Sequence, residues 1–321
     1  MTAAFITAVV LISSLMSVTF AFRALPRVGL GLATYSKVRG EMSKGDPWAS
    51  KADRYSMPDQ PARFAKGKAE KNTRMLDIDK LYKPEFLKGK VVVVTGGNRG
   101  LGLAIVQELV KQGAEVIVTS RSPATIPGAT VVAGIEVQDN DCGSKLTKAL
   151  AGKSIDILIN NAGYFYGPVE KLDSLNFEEE LKMIDICALG PLRITAAAAN
   201  AGLLKQGSKV AMITSQGGSI AWRTTQNPTG HDYGHHMSKA AANMMGVLLA
   251  QELKSKNICV VNLHPGFNKT DMTKKYEAIW EIEGAVDASV GAKRVVHEIG
   301  LMSMDTTGRF INCEDGLEIP F

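Results

Sequence analysis

Three spaced glycines, Gly96, Gly100 and Gly102, stand in the run Thr95-Gly96-Gly97-Asn98-Arg99-Gly100-Leu101-Gly102, between a β-branched stretch, Val91 to Val94, and a segment of helical apolar spacing, LAIVQELVKQG. Glycine lets a backbone turn tightly and approach a ligand, and a helix start offers unpaired amides and a partial positive charge, so this run can grip a pyrophosphate. The next β-branched stretch, Glu115 to Thr119, is followed by Ser120 and Arg121, not by an acid. An acid at that place accepts the ribose 2′-hydroxyl of NAD, whereas a 2′-phosphate calls for cations. Arg99 and Arg121 are two guanidinium groups able to hold such a phosphate in bidentate fashion, so the expected cofactor is NADP(H).

Positioning these groups requires a scaffold of alternating strands and helices. Further strands are expected at Val131 to Val137, Ile155 to Ile159, Lys209 to Thr214 and Ile258 to Leu263, with helical stretches between them. Repeated β-α alternation predicts an α/β fold with a doubly wound parallel sheet, a single Rossmann domain over residues 88 to 321, binding its ligand at the C-terminal ends of the strands.

The spacing TGxxxGxG departs from GxGxxG, and here the chain resembles the short-chain dehydrogenases/reductases, most closely their carbonyl-reductase and C-factor-like branch. The resemblance covers nearly all of Lys88 to Phe321. It is carried by TGGNRGLG, IDILINNAG ending at Gly163, ITSQGGSIA from Ile213, SKAAANM from Ser238, HPGFNKTDM from His264 and the terminal DGLEIPF. It implies that Asn98, Arg99 and Leu101 line the glycine turn and that Asn160, Ala162 and Gly163 lie under the riboses. Glu136 and Val137, on the third strand, would stand near the adenine; Thr270, after the turn of Pro265 and Gly266 that also borders the cofactor, would hold the carboxamide. Asn160 and its neighbour Asn161 also have a purely structural reading, bonding neighbouring strands.

Reduction of a carbonyl to an alcohol, or the reverse, is the activity the resemblance implies. Family members use a Tyr proton donor, a Lys four residues later, a Ser and an Asn. Ser215 and Lys239 match their positions, but four residues before Lys239 stands His235, and the nearby tyrosine, Tyr233, is six before it. Residues six apart on a helix differ by about 120° around its axis, so Tyr233 needs a shifted register to serve. Where the family's Asn is expected stands Cys187. Three readings stay open: His235 as the acid, Tyr233 brought in by local bending, or a catalytically impaired NADP(H)-binding protein acting as sensor, scaffold or complex subunit. An imidazole near pKa 6.5 can donate a proton at neutral pH, although Lys239 beside it depresses that value.

The remaining chemistry-bearing residues carry plainer expectations. His231, His235 and His236 cluster in sequence with one gap alone at ligand spacing, 231 to 235, and no further ligand beside it, and Cys142, Cys187, Cys259 and Cys313 are scattered without a CxxC pair, so no metal is expected. Cys187 reads as a small buried filler, His264 as part of the Pro-Gly turn, and His297 as lying on the outer face of the last helix. Trp222 and Phe267 are expected at the substrate mouth, among the loops Tyr164 to Lys171, Trp222 to Asp232 and Phe267 to Glu283.

The formal charge of +5 is uneven: from Arg23 to Arg74 there are 12 basic residues against 5 acidic ones, leaving the rest near neutral. With no aromatic interleaving on a folded face, that excess does not point to nucleic acid; the expected partner is a small-molecule carbonyl or alcohol, with oligomerisation open. Residues 1 to 22 are uncharged and apolar, a signal peptide or membrane anchor. The basic, acid-free stretch that follows resembles a transit segment, so a plastid location through a bipartite presequence is expected, with a secretory or endomembrane location as the alternative. Residues 41 to 88 lack apolar periodicity and read as an extended linker.

Overall fold

The computed structural model describes residues 54–321; the expected leader, the transit-like stretch and the first part of the expected linker lie outside the described residues. The strands are β1 (Val91–Thr95), β2 (Glu115–Thr119), β3 (Ala129–Val132), β4 (Ile155–Asn160), β5 (Leu204–Ile213), β6 (Cys259–His264), two-residue β7 (Asn268–Lys269) and β8 (Val286–Asp287), and β9 (Phe310–Asn312). Seven form one parallel sheet in the order β3-β2-β1-β4-β5-β6-β9. The order reverses between β1 and β4, and a crevice opens at the C-terminal ends of strands at such a switch point.

The long helices are α1 (Gln60–Ala69), α2 (Gly100–Lys111), α3 (Cys142–Leu150), α4 (Phe177–Ile184), α5 (Gly190–Asn200), α6 (Tyr233–Leu253) and α7 (Ala288–Leu301). Side chains alternate across each strand, so Val92 and Val94 of β1 enter one apolar layer with Ile105, Leu109, Val295 and Val296, under α2 and α7. Val93 enters the opposite layer with Leu146, Ile194, Met245 and Leu249, under α3, α5 and α6. Both faces are thereby covered, which is why the strands are continuous apolar runs.

The third strand is shorter than expected. It ends at Val132, and Glu136 and Val137 lie in the loop beyond it, because Gly134 takes φ 76° and breaks the extended chain. Residues 54–87 differ more. In place of an extended linker they form α1, capped by Asp59, and a single turn at Thr73–Leu76, capped by Asn72. The buried face of α1 is Gln60, Arg63 and Gly67, which is helical spacing written in polar residues, so hydrophobic periodicity gave no signal. The arm's basic residues pair with acids of the C-terminal region: Arg54 with Glu318, Arg63 with Glu314 and Arg74 with Glu298. Among the described residues no helix is long and apolar enough to cross a membrane.

Burial pushes His264 and the half-buried His297 down to about 4, His297 also feeling the Arg74 guanidinium of the arm. His297 is therefore not a freely exposed outer-face residue. The unfolded chain binds protons near pH 6.5 that the folded chain refuses, so stability is full above that pH and falls as pH drops toward 4. The contribution of His264 alone is at most roughly 3 kcal/mol at ~1.4 kcal/mol per unit. Thermal melts are expected to fall steadily between pH 7 and pH 4.5, less so in His264→Asn; a flat profile over that range contradicts the assignment.

Candidate active site

Gly96 leaves β1 at φ 63°, and a Cβ placed on it would stand 2.9 Å from the Cα of Ala162, so the glycine turn presses directly on the loop after β4. Asn161 locks this contact, its side-chain amide donating to the carbonyls of Thr95 and Gly96 at 3.1 and 3.0 Å. Gly102 packs under the same turn, and Leu101 packs against the sheet core. Asn98, Arg99 and Gly100 remain exposed at the start of α2, facing the crevice edge. Thr270 stands opposite, its Cβ 3.9 Å from where a Cβ on Gly100 would be, in the segment entered through Pro265 and Gly266. A floor of glycine backbone, a helix N-terminus and a facing hydroxyl fit a pyrophosphate-bearing cofactor.

Arg121 is exposed at the end of β2, next to β1 in register, and Thr95 pairs with Thr119. Its Nη1 lies 3.5 Å from Glu136 Oε2, so Glu136 steers the guanidinium from the loop after β3. Val137 is buried against Gly190, leaving its carbonyl to accept from Arg193 Nη1 at 3.1 Å. Asn160 does not face the crevice: its Nδ2 donates to Thr195 Oγ1 at 2.9 Å inside the core. Of its two readings the geometry matches the structural one. Ala162 lies against the Gly96 turn, and Lys239 Nζ lies 4.0 Å from the Cβ position of Gly163.

The catalytic candidates meet around Gly217 and Gly218. Ser215 ends the β5 segment in extended conformation and its Oγ accepts from Gly217 N at 3.0 Å. Having no side chains, Gly217 and Gly218 let this turn lie against α6; a Cβ on Gly218 would strike the Lys239 backbone. A Cβ on Gly217 would stand 2.9 Å from His235 Nε2 and 3.2 Å from Ser215 Oγ, so the two atoms lie close to each other at Gly217. Gly217→Ala is expected to force them apart and lower turnover ~10-fold or more, since small misplacements of reacting groups are costly. Cofactor affinity, measured alongside by calorimetry, is expected to stay within about twofold because that turn is not in the glycine loop; unchanged turnover contradicts the juxtaposition.

His235 is enclosed by the edge-on ring of Phe165, centroids 4.7 Å apart, and by His236 at 5.3 Å. Burial, with Lys239, His236, Arg223 and Lys275 adding positive potential, holds its pKa well below 6.5. The ring is neutral at pH 7. Its Nδ1 is buried without a partner among the described residues, so the tautomer protonated on Nε2 avoids an orphaned buried N–H and puts the donor on the side of Gly217. His236 is a positioning group instead, its Nδ1 2.9 Å from the Gly217 carbonyl and its Nε2 3.1 Å from Asn227 Nδ2.

Tyr233 opens α6, with its hydroxyl 3.9 Å from the Cβ position of Gly230, and no described hydrogen bond joins it to Ser215. The helix runs without a break from Tyr233 through Lys239, so no bending supplies the shifted register. Cys187 is buried in a π-helical turn, Asp185–Leu189, and its thiol donates to the Tyr164 carbonyl at 3.5 Å. Trp222 packs with Phe310 and Ile319 and does not line the mouth. Two mouth residues lacked any sequence signal beyond the loop they sit in: Phe165, and Lys275, whose Nζ lies 3.9 Å from the Phe165 ring centroid and donates to the Gly167 carbonyl at 2.8 Å. Among the described residues no cluster of His, Cys, Asp or Glu could hold a metal ion.

A family model described as short chain dehydrogenase matches residues 90–279. The chain belongs to the short-chain dehydrogenase family. A 1-hydroxy-2-glutathionyl-2-methyl-3-butene dehydrogenase of Rhodococcus sp. (strain AD45) is 30% identical over 224 residues, covering 68% of this chain and 94% of that relative. A 3-oxoacyl-[acyl-carrier-protein] reductase, MabA of Mycobacterium tuberculosis, is 30% identical over 217 residues, 66% of this chain and 82% of the relative. Among solved structures, an NADPH-bound carbonyl reductase from chicken fatty liver superposes with TM-score 0.61 at 25% identity, over 73% of this chain and all of that one. This short-chain dehydrogenase therefore has the oxidoreductase scaffold of its family, and its fold is of carbonyl-reductase type.

Proposed function

We propose that this protein is an NADP(H)-dependent oxidoreductase that reduces a small-molecule carbonyl to an alcohol. The observation that carries the reading is the approach of Ser215 Oγ and His235 Nε2 to each other at Gly217, with Lys239 Nζ 4.0 Å from the Cβ position of Gly163. A carbonyl oxygen seated within reach of both accepts from the Ser215 hydroxyl and from the His235 N–H, and the two donors stabilise the negative charge that develops on it. Lys239 holds positive charge at the ribose side of the crevice. NADPH, when bound, supplies the hydride. Arg99 at the start of α2 and Arg121 just after β2, with no acid following that strand, support the phosphorylated cofactor. The similar carbonyl reductase with bound NADPH supports the same choice.

A neutral imidazole is a weak proton donor, so turnover is expected to be slow. That single feature also favours the second reading, an NADP(H)-binding protein that has lost reduction. Calorimetry with NADPH and NADH, run beside NADPH oxidation over a panel of aldehydes and ketones, separates the two. Tight NADPH binding with measurable turnover supports the reductase; tight binding with none supports the binder; preference for NADH sinks the cofactor assignment.

A further inference from the structure

We infer that Arg63, outside the family-matched region, is a positioning residue of this pocket, and that the arm bearing it clamps the Ser215 turn and the mouth segment into one frame. Four side chains close a ring. Arg63 Nη2 donates to Glu314 Oε2 at 2.8 Å and to Gln216 Oε1 at 3.0 Å. Gln216 Nε2 donates to Gln60 Oε1 at 2.6 Å, and Gln60 Nε2 reaches back to Glu314 Oε1 at 3.5 Å. Arg63 and Glu314 are buried at 4% and 5% side-chain exposure, so this is an interior network and not a surface ion pair.

Each member of the ring leads to the site. Gln216 is the residue after Ser215 and opens the turn that Gly217 and Gly218 complete. Glu314 Oε1 accepts from Phe267 N at 3.1 Å, fixing the start of the mouth segment, and Gly266 at φ 81° clears the room its carboxylate needs. Gln60 Nε2 donates to the Glu283 carbonyl at 3.3 Å, and Phe64 packs on Gly284, fixing the segment's other end. The arm thus holds both ends of residues 267–284 and the Ser215 turn at once. Burial alone would raise the Glu314 carboxyl, but Arg63, His264, Arg294 and the Phe267 amide hold it below its usual range, so it is ionised and the clamp is charged. A buried ion pair adds little net stability compared with packed apolar side chains, whereas it fixes directions and distances tightly.

The test uses the full chain with Arg63→Ala, Arg63→Lys and Gln216→Ala, read by hydrogen exchange and by NADPH turnover. The turnover arm rests on the proposed reductase reading; the exchange arm does not. In Arg63→Ala, amides of 213–218 and 267–284 are expected to exchange ~10-fold faster or more, and kcat to fall ~10- to 100-fold with NADPH affinity within about twofold. Arg63→Lys keeps a charge for Glu314 on a side chain one atom shorter, which cannot keep Gln216 in reach as well, so it is expected to restore protection at 267–284 and not at 213–218, with partial recovery of kcat. Faster exchange confined to 54–87, or an unchanged kcat, overturns the inference. If Arg63→Ala does not fold, Gln216→Ala leaves the Arg63–Glu314 pair in place. It must then loosen 213–218 while sparing 267–284; protection of both overturns the clamp. Should the wild type reduce no carbonyl, the exchange pattern still decides the positioning claim, while the reductase reading fails separately.

Discussion

Replacing His235 with Tyr is expected to raise the rate of carbonyl reduction ~100-fold, the scale of a well-placed general acid, and His235→Ala is expected to lower it below wild type. The reason is the state of the imidazole. Burial, reinforced by Lys239, His236, Arg223 and Lys275, keeps it neutral at pH 7, able to donate a hydrogen bond but reluctant to release a proton. A phenol at the same place has Lys239 one helical turn away, at the spacing that puts both on one face of α6. The pH dependence carries the same sign. Because the pKa is depressed, the protonated ring gains population only well below pH 6.5, so wild-type reduction is expected to keep accelerating as pH falls past that value, where stability is already declining. Initial rates of NADPH oxidation across pH, for wild type, His235→Tyr, His235→Ala and Tyr233→Phe, check all of this. Loss of turnover in Tyr233→Phe with full activity in His235→Ala defeats the assignment of His235.

Removing Arg99 and Arg121 together is expected to weaken NADPH binding ~100-fold or more while changing NADH binding by less than about threefold, since each charge-assisted contact to a phosphate is worth roughly 1.5–3 kcal/mol. Both side chains are exposed, Arg99 at the start of α2 and Arg121 just after β2, and the residues after β2 offer no carboxylate for a ribose hydroxyl. Glu136 complicates the picture in a useful way. At 3.5 Å from Arg121 it competes with a phosphate for the same guanidinium, so Glu136→Gln is expected to tighten NADPH binding modestly. Titration calorimetry with both cofactors decides the matter, and equal losses for NADPH and NADH in the double variant remove the basis for the preference.

The sequence by itself determined the scaffold and the glycine turn at its switch point. Both are written locally: β-branched runs become strands, glycines at fixed offsets become the turn, and the helical apolar stripe of α2 places an N-terminus behind it. The positions of Ser215 and Lys239 came from the family resemblance, and the disagreement between Tyr233 and the register of α6 followed from helical spacing once that resemblance was drawn. The early end of the third strand at Gly134 was not legible, because the β-branched run around it outweighed one glycine. The inward turn of Asn160 toward Thr195 depended on which face of β4 meets α5.

What only the tertiary structure decided is where distant polar groups meet. The arm at 54–87 looked like a linker because its buried face is Gln60 and Arg63, and their partners Gln216 and Glu314 are more than 150 residues away. The state of His235 was equally hidden: the sequence names an imidazole, but the burial and the positive neighbours that hold it neutral come from β5, α6 and the mouth segment converging. Apolar patterning reports on each element alone, whereas a buried charge is tolerable only when the fold supplies its partner, so that information exists only after the chain has closed on itself.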